Sequence, residues 1–143
     1  MSDPQRFWRL LLSHHGPGEA HRCYRLPWSS LLLCARCLGL YPALLAVVGF
    51  EIGVGRFESE WRWLVAFASV TPAVIDWSGA MLFGGHGSNL VRTGTGGLAG
   101  IGLGVAFSDY FRDSKCLYFW VLLASLVAVI SVVWWARRSD DVP

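Results

Sequence analysis

Charged residues are scarce in this chain of 143 residues. Asp, Glu, Lys and Arg make up 15% of it, whereas about 25% is typical of soluble domains. The formal net charge is only +2, and the arginines are scattered between apolar runs. Binding to nucleic acid needs a concentrated basic patch. The composition therefore argues against a soluble domain and against a nucleic-acid partner.

Several familiar motifs are also missing. The chain has no G-x-S-x-G, no P-loop and no H-E-x-x-H segment, which removes the common hydrolase, nucleotide-binding and metalloprotease signatures. The first residues lack the continuous apolar region and the cleavage site of a secretory signal peptide. We therefore expect an unprocessed chain that is inserted by its own helices, and the motifs leave open whether it is an enzyme.

Apolar residues are abundant instead, at 54% of the chain, with a mean hydropathy of +0.44. Four runs come close to the length of about 20 residues that a helix needs to cross a bilayer: 37–55, 61–83, 89–107 and 117–135. Aromatic residues cluster at the ends of these runs, as expected at a membrane interface. The connectors are short, so neighbouring helices must be antiparallel. The sequence predicts an all-α integral membrane protein with four transmembrane helices in an antiparallel bundle.

The distribution of basic residues predicts the orientation of the chain. With the N-terminus inside, the inner face carries eight basic residues and the outer face four. Because basic residues in short loops stay in the cytoplasm, both termini are predicted to be cytoplasmic, in the inner (plasma) membrane. Residues 1–36 are predicted to form a cytoplasmic or interfacial segment, with a short interfacial stretch at 7–12, and residues 37–138 the transmembrane domain.

A group of sulfur and imidazole side chains precedes the first apolar run. Its members are His14, His15, His21, Cys23, Cys34 and Cys37. A Cys-x-x-Cys pair can direct two sulfurs at one ion, and Cys23 with one histidine would complete a tetrahedral zinc site. Zinc is therefore the expected cofactor. Two alternatives stay open: Cys34 and Cys37 form a redox-active dithiol, or the thiols are inert and buried.

A second polar group falls within the predicted spans. It consists of Asp76, Asn89, Arg92 and Thr95, with Arg36 from the Cys-x-x-Cys segment. Asp76 lies about 10 Å inside its helix end at helical rise, where an unpaired carboxylate is costly. The sequence predicts an Asp76–Arg92 ion pair, either as a clasp between helices or as an ion, proton or headgroup site. Arg36 is expected to reach lipid headgroups or to meet a carboxylate.

Small residues line the third run. Gly96, Gly100 and Gly104 repeat every four residues, which gives a helix a smooth ridge that another backbone can approach closely. We expect this ridge to pack within the bundle rather than between two copies of the chain.

The segments "RCYRL", "LCARCLGLYP" and "GSNLVRTGTGGLAG", with Asp76 between the last two, carry a resemblance to a family. The chain resembles the prokaryotic membrane proteins grouped as domain of unknown function 2085. The resemblance covers roughly residues 14–104 and implies that the cysteine segment and the Asp–Asn–Arg cluster form one site. It implies no activity.

Three functions are consistent with these patterns. The leading hypothesis is a small membrane protein with a cytoplasmic-face zinc site above the Asp–Asn–Arg cluster. Its role would be structural or accessory, and it would contact the lipid bilayer and either a second copy or a partner subunit. The alternatives are a thiol–disulfide oxidoreductase or electron carrier that uses Cys34 and Cys37, and a small ion or metal transporter with Asp76 on its path. The few polar residues in the outer half of the spans disfavour a transporter.

Overall fold

The computed structural model describes residues 22–25, 32–55, 60–84 and 87–140. This part of the chain forms two short strands and four long helices. The strands are β1 (Cys23–Arg25) and β2 (Leu32–Cys34), and the helices are α1 (Ala35–Gly53), α2 (Arg62–Phe83), α3 (Asn89–Arg112) and α4 (Leu117–Asp140). The predicted interfacial stretch at 7–12 lies outside the described residues.

All four helices are long and apolar enough to cross a bilayer. Their most apolar windows have mean hydropathies between 1.2 and 2.4, and each helix exposes large apolar side chains that would contact lipid. The predicted four-helix membrane fold is confirmed. Helix α1 begins at Ala35, so the domain boundary predicted after residue 36 falls within its first turn. Helix α3 continues to Arg112, past the predicted end at 107, because Ser108 and Asp109 are buried.

Only five residues, 84–88, separate α2 from α3 in the sequence. Helix α2 ends at Phe83 and is capped by Gly84, which has a φ of 65°, a left-handed conformation that glycine adopts without steric cost. Helix α3 then begins after Ser88, whose hydroxyl accepts a hydrogen bond from the Val91 N–H at 3.3 Å, as is typical of an N-terminal cap. This turn brings the C-terminal half of α2 beside the first turn of α3.

Helix α3 is central, because it packs against each of the other three helices. Its glycine ridge faces α1 of the same chain. A Cβ on Gly96 or Gly100 would overlap a carbonyl oxygen of α1, and one on Gly104 would lie only 2.8 Å from the Val47 Cβ. On the other side, a Cβ on Gly102 would lie 2.6 Å from the Ala66 carbonyl oxygen of α2. The absence of side chains therefore determines how closely α1 and α2 approach α3.

Aromatic packing holds α4 against this core. Phe119 of α4 is buried beside Ala106 and Ala66, and it stacks on Tyr110 of α3 with ring centroids 4.5 Å apart. Phe107 meets Phe119 edge-on at 5.3 Å. Such pairs add about 1 kcal/mol each beyond the area they bury. The outer face of α4 stays exposed.

The two strands form a small antiparallel hairpin that the sequence analysis did not predict. Cys23 lies opposite Cys34, Tyr24 opposite Leu33, and Arg25 opposite Leu32. Strands of three residues are too short to show an alternating pattern. The hairpin leads directly into α1, since Cys34 ends β2 and is also the N-cap residue of α1.

Candidate functional site

Three thiols come together where the hairpin meets α1, and we call Cys23, Cys34 and Cys37 the thiol cluster. Cys23 and Cys34 are direct partners across the strand pair, and both are buried. Cys37 lies one helical turn beyond Cys34, and the two side chains are hydrogen-bonded. None of the three forms a disulfide bond. The hairpin thus brings the upstream cysteine to the Cys-x-x-Cys pair, a contact that the sequence could only suggest.

The described residues of the thiol cluster do not form a metal site by themselves. Within residues 22–25, 32–55, 60–84 and 87–140, no three Cys, His, Asp or Glu side chains are arranged to hold an ion. The candidate ligands His14, His15 and His21 lie outside the described residues. The donor chemistry nevertheless fits zinc, since three thiolates and one imidazole are a common structural donor set.

Next to the thiol cluster, Arg36 forms an ion pair with Asp76. The Arg36 guanidinium donates to the Asp76 carboxylate, which joins the first turn of α1 to the C-terminal half of α2. Gly87 also approaches this carboxylate: a Cβ there would lie 3.5 Å from Asp76 Oδ1. The expectation that Arg36 meets a carboxylate is thereby met.

The predicted Asp76–Arg92 ion pair is wrong. Arg92 is only 4% exposed, and among the described residues neither of its terminal nitrogens has a hydrogen-bond partner. The amide oxygen of Asn89, one turn earlier, is also buried without one. The glycine ridge lets the N-terminal end of α1 pack close to α3. Arg36, at that end of α1, pairs with Asp76 in place of Arg92.

Threonines of α3 complete this end of the bundle. The Thr93 hydroxyl donates to the Ala35 carbonyl oxygen at 3.0 Å and lies 3.3 Å from the Tyr24 hydroxyl. It therefore ties both α1 and the hairpin to α3. Thr95, which was predicted to join the polar cluster, hydrogen-bonds the Arg92 carbonyl oxygen at 3.3 Å.

A second polar cluster lies at the opposite end of the bundle, and we call it the four-helix ion cluster. It contains one residue from each helix: Glu51 (α1), Arg62 (α2), Asp109 (α3) and Tyr118 (α4). The Arg62 guanidinium makes two hydrogen bonds of 2.8 Å to Glu51 and two of 2.8 and 2.9 Å to Asp109. The Tyr118 hydroxyl donates to Asp109. Glu51, Arg62 and Asp109 are each at most 5% exposed.

This second cluster was not predicted from the sequence. Arg62 was predicted to lie on the outer face, and Asp109 was predicted to lie in the connector 109–115 that follows the third span. One signal was present: an acid at the end of the first span, a base at the start of the second and an acid late in the third all fall at the same level. The cluster joins all four helices and places two carboxylates around one guanidinium.

Comparison with known proteins shows the family. Residues 19–106, more than half of the chain, match the family described as "Predicted membrane protein (DUF2085)". The chain belongs to this family, and the resemblance found in the sequence is confirmed. The matched region includes the thiol cluster, the Arg36–Asp76 pair and Arg92. No curated protein and no solved structure matches the chain.

Proposed function

Starting from its membership of this membrane-protein family, we propose that the chain is a small multi-pass protein whose thiol cluster binds zinc. The ion would fasten the segment before the first span to the four-helix bundle. We propose a structural or accessory role, in which the fastened segment forms a polar surface at one end of the bundle. On the basis of the count of basic residues, we assign that end to the cytoplasm and the protein to the inner membrane.

The observation that carries this proposal is the convergence of the three thiols. Cys23 is eleven positions before Cys34, yet the hairpin makes them direct cross-strand partners, and Cys37 is hydrogen-bonded to Cys34. Opposed residues in a strand pair have Cβ atoms about 5 Å apart, and zinc holds sulfur ligands at about 2.3 Å. Small side-chain rotations would then direct the sulfurs at one ion.

Three donors leave one tetrahedral position for an upstream histidine. We propose that His14, His15 or His21 fills it, since neutral imidazole is the usual companion of thiolates in structural sites. With all four positions filled by protein ligands, a bound zinc ion would cross-link the segment and would have no open position for a reaction. Its benefit follows from size, because a segment of about 35 residues is too small to bury a stabilising core of its own.

The hairpin, α1 and α3 together position the three cysteines. The hairpin holds Cys23 and Cys34, the first turn of α1 holds Cys37, and Thr93 fixes both elements against α3. Arg36, between Cys34 and Cys37 in the sequence, forms an ion pair with Asp76. The hairpin and α1 thus bring the three cysteines to the same place in the fold.

The test is the metal content of protein purified in detergent under reducing conditions. We expect about one zinc per chain, and loss of that zinc in Cys23→Ser, Cys34→Ser and Cys37→Ser. The matched control is Cys116→Ser, because Cys116 lies at the opposite end of the bundle, just before α4. Absence of zinc from the wild-type chain, or retention of it in all three variants, would contradict the proposal.

The Cys34–Cys37 hydrogen bond also favours a second candidate, a redox-active dithiol. In thiol–disulfide exchange these two thiols would pass two electrons and two protons to a substrate disulfide, which becomes two thiols as Cys34 and Cys37 become a disulfide. Alkylation separates the two candidates. Zinc-bound thiols stay unmodified until a chelator is added, whereas a free dithiol is modified at once and is protected only after oxidation.

A further inference from the structure

Arg92 is a buried cation for which the described part of the chain provides no counterion. It is 4% exposed, and both of its terminal guanidinium nitrogens lack a hydrogen-bond partner among the described residues. An arginine stays protonated in proteins, so the charge cannot be removed by losing a proton. A buried charge without a partner is strongly unfavourable, which makes the side chain a candidate for binding an anion.

The acid that was expected to neutralise Arg92 is already engaged. Asp76 pairs with Arg36, and the first turn of α3 contains no acidic residue. Among the described side chains at this end, the arginines outnumber the carboxylates. The arginines are Arg22, Arg25, Arg36, Arg92, Arg137 and Arg138, and the carboxylate is Asp76. These described side chains together favour an anionic partner.

The position of Arg92 at the N-terminus of α3 also favours binding of an anion. Arg92 lies in the first turn of α3, and long helical side chains point back towards the helix N-terminus. The free N–H groups and the helix dipole at an N-terminus attract anions. Gly87 and Ser88, just before this turn, are exposed, so a ligand can approach from the α2–α3 connection.

We propose that Arg92 binds a phosphate group at the N-terminus of α3. Guanidinium groups bind phosphate through two parallel hydrogen bonds, and two nitrogens of Arg92 are available. Asn89, on the same face, would use its amide as a donor after rotation, or accept a hydrogen bond from a ligand hydroxyl. The phosphate comes either from a lipid headgroup at this level of the bilayer or from a soluble ion. This site does not depend on zinc at the thiol cluster.

The experiment is a binding titration of the full chain in an uncharged detergent, followed by thermal unfolding. The probes are inorganic phosphate, short-chain phosphatidylglycerol and the matching diacylglycerol, which lacks phosphate. The variants are Arg92→Gln and Arg92→Lys. The control is Arg138→Gln, because Arg138 lies at the same end but is exposed, 4.1 Å from the Trp134 ring centre.

We expect phosphatidylglycerol to stabilise the wild-type chain and Arg138→Gln, and the diacylglycerol to have no effect. Arg92→Gln should weaken phosphatidylglycerol binding by about tenfold or more, the loss typical of a charged hydrogen bond, and Arg92→Lys should retain part of it. Stabilisation by inorganic phosphate as well would identify a soluble anion as a ligand, and its absence would restrict the site to lipids.

Stability without any ligand distinguishes this proposal from a structural role. If Arg92 awaits an anion, Arg92→Gln is at least as stable as the wild type in detergent alone, because an uncompensated charge has been removed. If Arg92→Gln is less stable without ligand, or binds phosphatidylglycerol as tightly as the wild type does, the proposal is wrong.

Discussion

At the scale of single residues, the arginines of this chain differ in what surrounds them. Arg36 meets one carboxylate, Arg62 meets two, and Arg92 meets none among the described residues. The sequence indicated that charges lie at both ends of the spans. It could not assign the partners, because partner choice depends on how closely the helix backbones approach one another. The three arginines are therefore expected to respond differently to substitution.

Replacement of Arg62 tests the four-helix ion cluster. Arg62→Gln leaves Glu51 and Asp109 buried without their counterion, so we expect a loss of about 3 kcal/mol in the free energy of unfolding. Denaturation in detergent measures it. The matched control is Lys115→Gln, which removes an exposed charge at the same end and should change stability by less than about 0.5 kcal/mol. Equal stabilities of the two variants would show that the cluster does not hold the helices together.

At the scale of elements, the helices follow directly from the sequence. The predicted starts at residues 89 and 117 agree with α3 and α4, and the predicted end at 83 agrees with α2. The apolar runs have the length needed to cross a bilayer, and Gly84 and Ser88 mark the end of α2 and the start of α3. The β1–β2 hairpin has no such signal, because its strands are short and its pairing depends on contacts distant in sequence, such as Tyr24 with Thr93.

Packing of α1 on α3 depends on the glycine ridge. A Cβ on Gly100 would overlap the Leu40 carbonyl oxygen, whereas one on Gly94 of the same helix would meet nothing within 4 Å. We expect Gly100→Ala to cost about 1–3 kcal/mol through forced separation of the helices. Gly94→Ala should be neutral or slightly stabilising, since alanine favours a helix. Both are measured by unfolding in detergent. If Gly100→Ala were as stable as Gly94→Ala, α1 would not approach α3 as closely as described.

At the scale of the whole molecule, the two ends of the bundle are built differently. One end carries the four-helix ion cluster, in which the described charges are paired and buried, as suits a structural clasp. Among its described residues, the other end carries three cysteines that form no disulfide, the buried Arg92 whose terminal nitrogens have no hydrogen-bond partner, and more arginines than carboxylates. The family match over residues 19–106 includes the thiol cluster, Arg36, Asp76 and Arg92 of this second end, as well as Glu51 and Arg62 of the first. Ligands are therefore expected there, and rigidity at the opposite end.

The important residues of this second end could be predicted from the sequence, but their pairings could not. It singled out Cys23, Cys34 and Cys37 by donor type, and Asp76 and Arg92 by their cost inside a membrane. It could not predict that Cys23 lies opposite Cys34, or that Arg36 pairs with Asp76. Both depend on the hairpin and on the α1–α3 contact, which are tertiary features.

The central claim is that the thiol cluster binds zinc, and the most direct measurement is X-ray absorption at the zinc edge of the purified full chain. We predict a shell of three sulfur atoms at about 2.3 Å and one nitrogen at about 2.0 Å. Substitution of whichever of His14, His15 and His21 is the ligand should remove the nitrogen from this shell, while the three sulfur atoms remain. A shell that contains only nitrogen and oxygen, or the absence of zinc from freshly reduced protein, would contradict the account.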